Sequence, residues 1–335
     1  MKKTLVSILI PYKNTAPYLR ECLQSILEQT HTPWEVLAIN DHSTDESESV
    51  VRSFAERDSR ILMHRNTGQG IIAALRLAYA HSTGSFITRM DSDDIMKPHK
   101  LETMVKALNQ NGPGHVAVGQ VQYFSHRGIS NGYARYESWL NALTQRGTNY
   151  TEIYKECVIP SPCWLLYRQD LERIGAFAPY RYPEDYDLTF RCYAAGFTCI
   201  PCAEVLHLWR DYDTRTSRTS EHYAQNYFLD IKLHYFLQLD HDPARPLVVW
   251  GAGYKGKSIA KALLKKGIAF SWVCDNPKKI GKKIYGQEML AFSHLSGVQK
   301  AQSLITVANE KAQQQIKEYF KKRGKRAMHD YFFFC

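Results

Sequence analysis

Three carboxylates stand within four residues at Asp91-Ser92-Asp93-Asp94, at the end of the apolar run Phe86–Met90. Like charges that close raise one another's proton affinity, and a purely structural turn seldom tolerates them. A hard divalent cation relieves the repulsion, and Mg²⁺ or Mn²⁺ commonly bridges one or two carboxylates to substrate phosphates. A diphosphate held that way has its departing charge neutralised. Asp41 closes another apolar run, Glu35–Asn40, and a third acidic site, Glu184-Asp185, follows Tyr182-Pro183. By itself that pair also suits an ordinary helix N-terminus, where the macrodipole favours carboxylates. Asp185 suits a general base if burial or repulsion from Glu184 raises its proton affinity.

The elements that must position these groups follow from periodicity. Strand-like Leu5–Pro11, Glu35–Asn40, Ile61–His64 and Phe86–Met90 alternate with three helix-spaced segments. Those segments are Tyr18–Gln29, a run through Val50, Val51 and Phe54, and Ile71–His81. The alternation predicts an α/β fold, a mainly parallel sheet with helices on both faces. Ligands in such sheets bind at the C-terminal strand ends, where Asp41 and the Asp91 cluster both fall. Ser43 or Thr44 is expected to cap the helix through Val50. Residues 109–182, rich in glycines, aromatics and turns, read as strands and loops. An aromatic-rich helix is expected over 221–239, through Tyr223, Tyr227, Ile231, Leu233 and Tyr235, with Asp240–Pro246 as the linker.

A fresh start follows. The strand Pro246–Trp250, the turn Gly251-Ala252-Gly253-Tyr254-Lys255-Gly256, the helix Lys257–Lys266 and the strand Phe270–Cys274 make a βαβ unit. Gly251, Gly253, Gly256 and Asp275 match a dinucleotide fingerprint, in which a helix N-terminus receives phosphate. This small Rossmann-like domain is read either as a nucleotide site or as a docking module whose fingerprint is unused. The ending Tyr331–Cys335 reads as a terminal buried strand. The predicted division is 1–219, a helical linker over 220–242, and 243–335.

A chain of 335 residues suits two domains, and 44% hydrophobic with 23% charged residues is a globular composition. No apolar run approaches the roughly 20 residues that span a bilayer. The N-terminus lacks a cleavable leader pattern, so the expectation is cytoplasmic. The net charge of +10 concentrates toward the C-terminus. It calls for either a solvated face or peripheral contact with anionic lipid; no nucleic-acid module accompanies it. The eight cysteines show no disulfide spacing, and Cys199 and Cys202 form a lone CxxC expected to flank a strand.

Four motifs, in order, resemble the family 2 glycosyltransferases of GT-A fold. They are Val6–Asn14, Asn40–Asp45, Gly84–Asp94 and Tyr182–Leu188. The resemblance implies an enzyme with a nucleotide-sugar donor, a hydroxyl acceptor on a glycan or lipid-linked carrier, and Mn²⁺ or Mg²⁺. It implies that Pro11 and Tyr12 line the nucleotide pocket and that Asp41 bonds the base. Asp91 would contact the ribose and metal side, Asp93 would ligate the metal directly, and Asp185 would be the base. Asn14, Gly68, Arg89, Ser92, Glu184 and Arg210 complete the donor side, with Arg210 as a phosphate clamp and Arg215, Ser217 and Arg218 nearby. His207 is either a further metal ligand or a structural histidine. Trp164, Tyr180 and Tyr182 either stack on a sugar or pack under the acceptor loop. Thr67-Gly68-Gln69-Gly70 departs from the Ala-Arg-Asn segment of many relatives, which bears on diphosphate contact. An inverting transfer needs one base opposite the leaving group and no carboxylate nucleophile, unlike a retaining glycosidase. Rival readings are a nicotinamide-dependent enzyme centred on Gly251–Asp275 and a non-catalytic nucleotide-sugar binder.

Overall fold

The computed structural model describes residues 4–215 and 227–335 and divides into two units. The first comprises Met1–Asn149 with Val158–Arg215, the second Tyr150–Cys157 with Thr216–Cys335. Ser217, Arg218 and Tyr223 lie outside the described residues.

In the first unit, β1 (Val6–Tyr12), β2 (Trp34–Asn40), β3 (Ile61–Arg65) and β4 (Phe86–Arg89) are parallel neighbours. β5 (Ile95–Met96), β6 (His115–Phe124), β7 (Trp164–Tyr167) and β8 (Thr198–Arg210) extend the sheet in the order β3-β2-β1-β4-β7-β6-β8-β5. Covering helices on both faces is what lets β1 and β2 be buried at nearly every position, as their unbroken apolar runs require. The helix α1 (Ala16–Leu27) starts with a proline in its first turn and buries Leu19, Cys22, Leu23 and Ile26, one stripe at 3.6-residue spacing. Truncating Leu23 to alanine would cost about 2–5 kcal/mol, as for other buried leucines. The register sets Tyr12 opposite Asn40 and Leu9 opposite Arg89, so β1, β2 and β4 deliver their C-terminal ends side by side.

Three expectations are corrected. The segment expected to be strands and loops contains a 16-residue helix, Asn131–Arg146. Tyr133, Tyr136, Trp139, Leu140 and Leu143 recur at helical spacing along it, Ser130 Oγ caps its start, and left-handed Gly147 ends it. Neither Ser43 nor Thr44 caps the helix Ser47–Ala55; Asp45 Oδ1 accepts from Ser47 N there, because Ser43 and Thr44 are committed to Asn14. Cys199 and Cys202 both lie inside β8 rather than flanking a strand, and all eight cysteines are free.

The second unit carries β9 (Leu247–Trp250), β10 (Ser271–Val273), β11 (Lys283–Ile284), β12 (Gln287–Leu290), β13 (Gln302–Ile305) and β14 (Tyr331–Phe333). Its order is β11-β12-β10-β9-β13-β14, and the five strands from β12 to β14 run parallel. That is a doubly wound arrangement with its order reversing at β9, where the glycine turn sits. The helix Tyr227–Leu239 belongs to this unit rather than standing apart as a linker. Its Phe236 packs edge-on against Phe332, and Tyr154 stacks on Phe334, burial that a free-standing bridge would not provide.

Candidate functional site

The loops after β1, β2 and β4 are knitted together at one end of the first sheet. Asn14 Oδ1 accepts from Thr44 N at 2.8 Å, while Asn14 N donates to Ser43 Oγ at 3.2 Å. Asn14 and His42 both take left-handed backbone, with φ of 52° and 59°, which short polar residues adopt more readily than most. Asp41 N donates to Tyr12 O at 2.9 Å. Asp41 Oδ1 accepts from Asn66 Nδ2 at 2.6 Å and from Gly70 N at 3.0 Å. The carboxylate thereby orders the glycine loop opening the helix Ile71–His81. In that loop a Cβ at Gly68 would lie 2.9 Å from the Ala73 Cβ, so the chain passes where only glycine fits. Pro11 stands half-buried beside these loops. The Tyr12 ring, 2% exposed, instead packs in the core with Ile10 and Leu19 and leaves its hydroxyl unpartnered. Alternation along β1 sends it to that face, so its side chain does not line a pocket there.

At the tip of β4, Arg89 is buried and makes the central connection. Its Nε and Nη2 donate to Asp91 Oδ1 at 3.0 and 2.8 Å, and its Nη1 donates to Glu184 Oε1 at 2.6 Å. The arginine assigned to the donor is thus spent on joining the acidic turn to the Glu184-Asp185 pair. That pair opens α2 (Glu184–Ala194). Ser92 Oγ is likewise engaged, 3.0 Å from Thr15 Oγ1 at the start of α1.

The carboxylates differ in state. Burial would raise the Asp91 carboxyl, but the guanidiniums of Arg89 and Arg215 outweigh it and hold the group below the usual range. Burial, then the charges of Asp94 and Asp91, push Asp93 up to about 7. Asp94 is pushed up to about 8, chiefly by burial and against the pull of Arg215. Burial and then Glu184 push Asp185 up to about 7. Asp185 Oδ1 accepts from Tyr186 N at 2.8 Å, and its other oxygen has no protein partner among the described residues.

The turn is braced from behind by residues whose sequence positions did not reveal that role. His207 is fully buried, with Nε2 2.9 Å from Asp94 Oδ2 and Nδ1 3.3 Å from Lys100 Nζ. Burial, then Lys100, hold its proton affinity well below normal, so a neutral ring donates at one nitrogen and accepts at the other. With both nitrogens engaged, His207 is structural and not a metal ligand. Arg210 is no free phosphate clamp. Its N donates to Asp94 Oδ1 at 2.8 Å and its Nε to Asp93 O at 2.7 Å, and its Nη2 pairs with Glu21 Oε2 at 2.5 Å. The Tyr212 hydroxyl donates to Asp93 Oδ2 at 2.9 Å, a contact that no sequence motif marks. Lys100, which reads as a routine helix-start lysine, has no sequence signal for its buried role.

Among the aromatics, Trp164 is 3% exposed and packs within β7, whereas Tyr180 is 74% exposed. Packing is therefore the role of Trp164; Tyr180 keeps a face open. Among the described residues no three His, Cys, Asp or Glu side chains converge as a ready-made metal cage. Asp91 and Asp93 nevertheless supply hard oxygens with excess proton affinity at Asp93. That fits a cation shared with a ligand's phosphates, the usual way Mg²⁺ is held.

In the second unit, Gly251 has φ +98° and a Cβ at Gly256 would lie 2.1 Å from Gly251 O, so both positions demand glycine. The helix Tyr254–Lys265 begins directly after Gly253. Trp272 Nε1 donates to Gly251 O and Lys279 Nζ to Ala252 O, each at 2.8 Å, while Asp275 is exposed.

Comparison with known proteins agrees with this geometry. The family model for glycosyl transferase family 2 matches residues 7–175. Glycosyltransferase GlyA of Streptococcus pneumoniae is 33% identical over 120 residues, 36% of this chain and 17% of that protein. GlyG of the same organism is 34% identical over 107 residues, 32% of this chain and 36% of that protein. The chain therefore spans about a sixth of the length of GlyA and about a third of that of GlyG. Staphylococcus aureus TarS, solved with UDP-GlcNAc, superposes with TM-score 0.54 at 16% identity, over 78% of this chain and 71% of that one. The mannosyltransferase PcManGT of Pyrobaculum calidifontis, solved with GDP-Man and Mn²⁺, gives 0.51 at 20% identity, over 79% and 76%. At such identities these two establish the GT-A type of fold alone.

Proposed function

The chain belongs to glycosyl transferase family 2, and from that premise we propose that it is an inverting glycosyltransferase using a nucleotide diphosphate sugar, a UDP-sugar in the first instance. The observation that carries the reading is Arg89, which ties the acidic turn after β4 to Glu184-Asp185. A donor's leaving group and an acceptor's hydroxyl must be held in fixed relation, and this guanidinium couples the two groups assigned to them.

Asp185, with its proton affinity near neutrality, takes the proton of an acceptor hydroxyl as that oxygen bonds to the anomeric carbon. The bond from that carbon to the diphosphate oxygen breaks, and its electron pair departs with the nucleotide diphosphate. One displacement inverts the configuration. Asp93, with Asp91 beside it, would hold a divalent cation, which would neutralise charge on the departing diphosphate. Asp41 orders the glycine loop through Asn66 and Gly70, which supports its placement next to the nucleotide.

A surface glycan or lipid-linked acceptor is part of the same proposal, as is membrane contact through the lysines of the second unit at a cytoplasmic face. Among the described residues no helix is long and apolar enough to cross a membrane. For the second unit we propose a nucleotide at Gly251–Gly256, supported by the two glycine-only positions.

The test is a thermal-shift panel of UDP- and GDP-sugars, each with and without Mn²⁺. A metal-dependent shift with one sugar nucleotide is expected. A shift with NAD or NADP alone would move the function to the second unit.

A further inference from the structure

Directly behind Asp185 lies a small cavity of about 10 Å³. Its walls are apolar side chains of β6, β7 and α2, including Val116, Trp164 and Leu188. Only a few polar groups reach it: Asp185 itself, Thr189 and Ser161. The Thr189 hydroxyl is already committed, donating to Asp185 O at 2.9 Å. The Ser161 hydroxyl is different. Ser161 is 7% exposed, and its Oγ is buried with no hydrogen-bond partner. A buried hydroxyl left unpaired is costly, so a native fold keeps one where something completes it.

The loop holding Ser161 is rigid. It reads Ile159-Pro160-Ser161-Pro162-Cys163, and each proline fixes its own φ while restricting the residue before it. Cys163 N donates to Pro160 O at 3.0 Å, and the buried Lys100 donates to Pro162 O at 2.5 Å. The lysine that braces the metal-side turn through His207 therefore also pins this loop. A space of that size accommodates about one water, and a water needs at least two polar partners. Within the cavity, the partners present are the Ser161 hydroxyl and the Asp185 carboxyl.

We infer that Ser161 is a positioning residue for Asp185, its hydroxyl bonding the carboxylate through a single trapped water. This rests on Asp185 being the base. The bond orients the carboxylate from its inner side and stabilises its ionised form, leaving the outer oxygen to the acceptor. The charged groups that already face Asp185 are Glu184 from its own helix and Arg89 and Asp91 from the tip of β4. Val116, Trp164 and Leu166, from β6 and β7, are not ionisable, and Cys192 is a thiol kept neutral by burial.

The test is a ¹³C-carboxyl NMR titration of the metal-free protein labelled at aspartate, with the Asp185 signal assigned by its loss in Asp185→Asn. Ser161→Ala should shift the Asp185 midpoint upward, a change of about 3- to 10-fold in its acid constant. Thr189→Val removes a hydroxyl from the same wall and should leave the midpoint in place, which separates a polar contact from loosened packing. An unchanged midpoint in Ser161→Ala, or equal shifts in both variants, overturns the inference. Transfer assays on Asp185→Asn run alongside. Retained transfer there overturns the base assignment, whereas lost transfer with an unmoved Ser161→Ala midpoint sinks the role of Ser161 alone.

Discussion

The two ends of the first unit's sheet hold carboxylates in opposite conditions. At the N-terminal end of the strands, Glu35 is surrounded by donors. Ser7 Oγ, Thr83 N and Gly84 N reach its Oε1 at 2.7, 2.5 and 3.0 Å. Burial alone would raise its proton affinity, yet those bonds outweigh it and hold the carboxyl below the ordinary range. At the C-terminal end, buried Asp93 and half-buried Asp185 lie beside other carboxylates and are pushed up to about 7. A satisfied carboxylate holds the fold; an under-satisfied one stores electrostatic strain that a proton, a cation or a substrate can relieve.

The sharpest way to break this comparison is at Asp185. Asp185→Asn is expected to lower kcat by about 10²- to 10⁴-fold while sparing donor binding, read by steady-state kinetics beside a donor titration. Normal turnover in that variant would remove the base. Next is Asp93→Ala. Losing a direct ligand should weaken Mn²⁺-dependent donor binding by at least the roughly 10- to 100-fold that losing outer-shell support costs. Calorimetry with Mn²⁺ and the sugar nucleotide measures it, and donor affinity that ignores the substitution would contradict the metal assignment.

At the other end, Glu35→Gln should cost about 1–3 kcal/mol of stability and leave Mn²⁺ binding alone. Because the folded state depresses this group, its stabilisation is present above the unfolded pKa and is lost as pH falls through the folded one. The gap between wild type and Glu35→Gln in denaturant melts should therefore close on acidification. The smallest effect has the reverse sign. Asp185 is raised on folding, so its ionisation penalises the native state above about pH 7 and ceases to do so well below it. Without metal, Asp185→Asn should melt about 2–4 °C higher than wild type at alkaline pH, and no higher in acid. A stabilisation that persisted in acid would mean that packing, not charge, separates the two ends.

Much of the site was legible because period and strand-end position are local properties. The run Phe86–Met90 announces a strand, and the acids after it announce their end of the sheet. The helix Asn131–Arg146 was also written in its aromatic spacing, but glycines at 128, 132 and 147 masked it as loop. Other roles had no local signature. Arg89 looks like a donor contact until Glu184, 95 residues away, turns out to be its partner. His207 and Arg210 look like ligands until Asp94 is found against both.

What the sequence determined alone was the class of chemistry, the strand ends that carry it and the presence of a second α/β unit. Those depend on residue type and near-neighbour spacing, which the chain states outright. Tertiary structure decided which charged groups are spent on one another and which remain under-satisfied. That choice depends on distances of a few ångströms between segments far apart in the chain, and on burial, which strengthens every such pairing and raises the cost of each one left unmade.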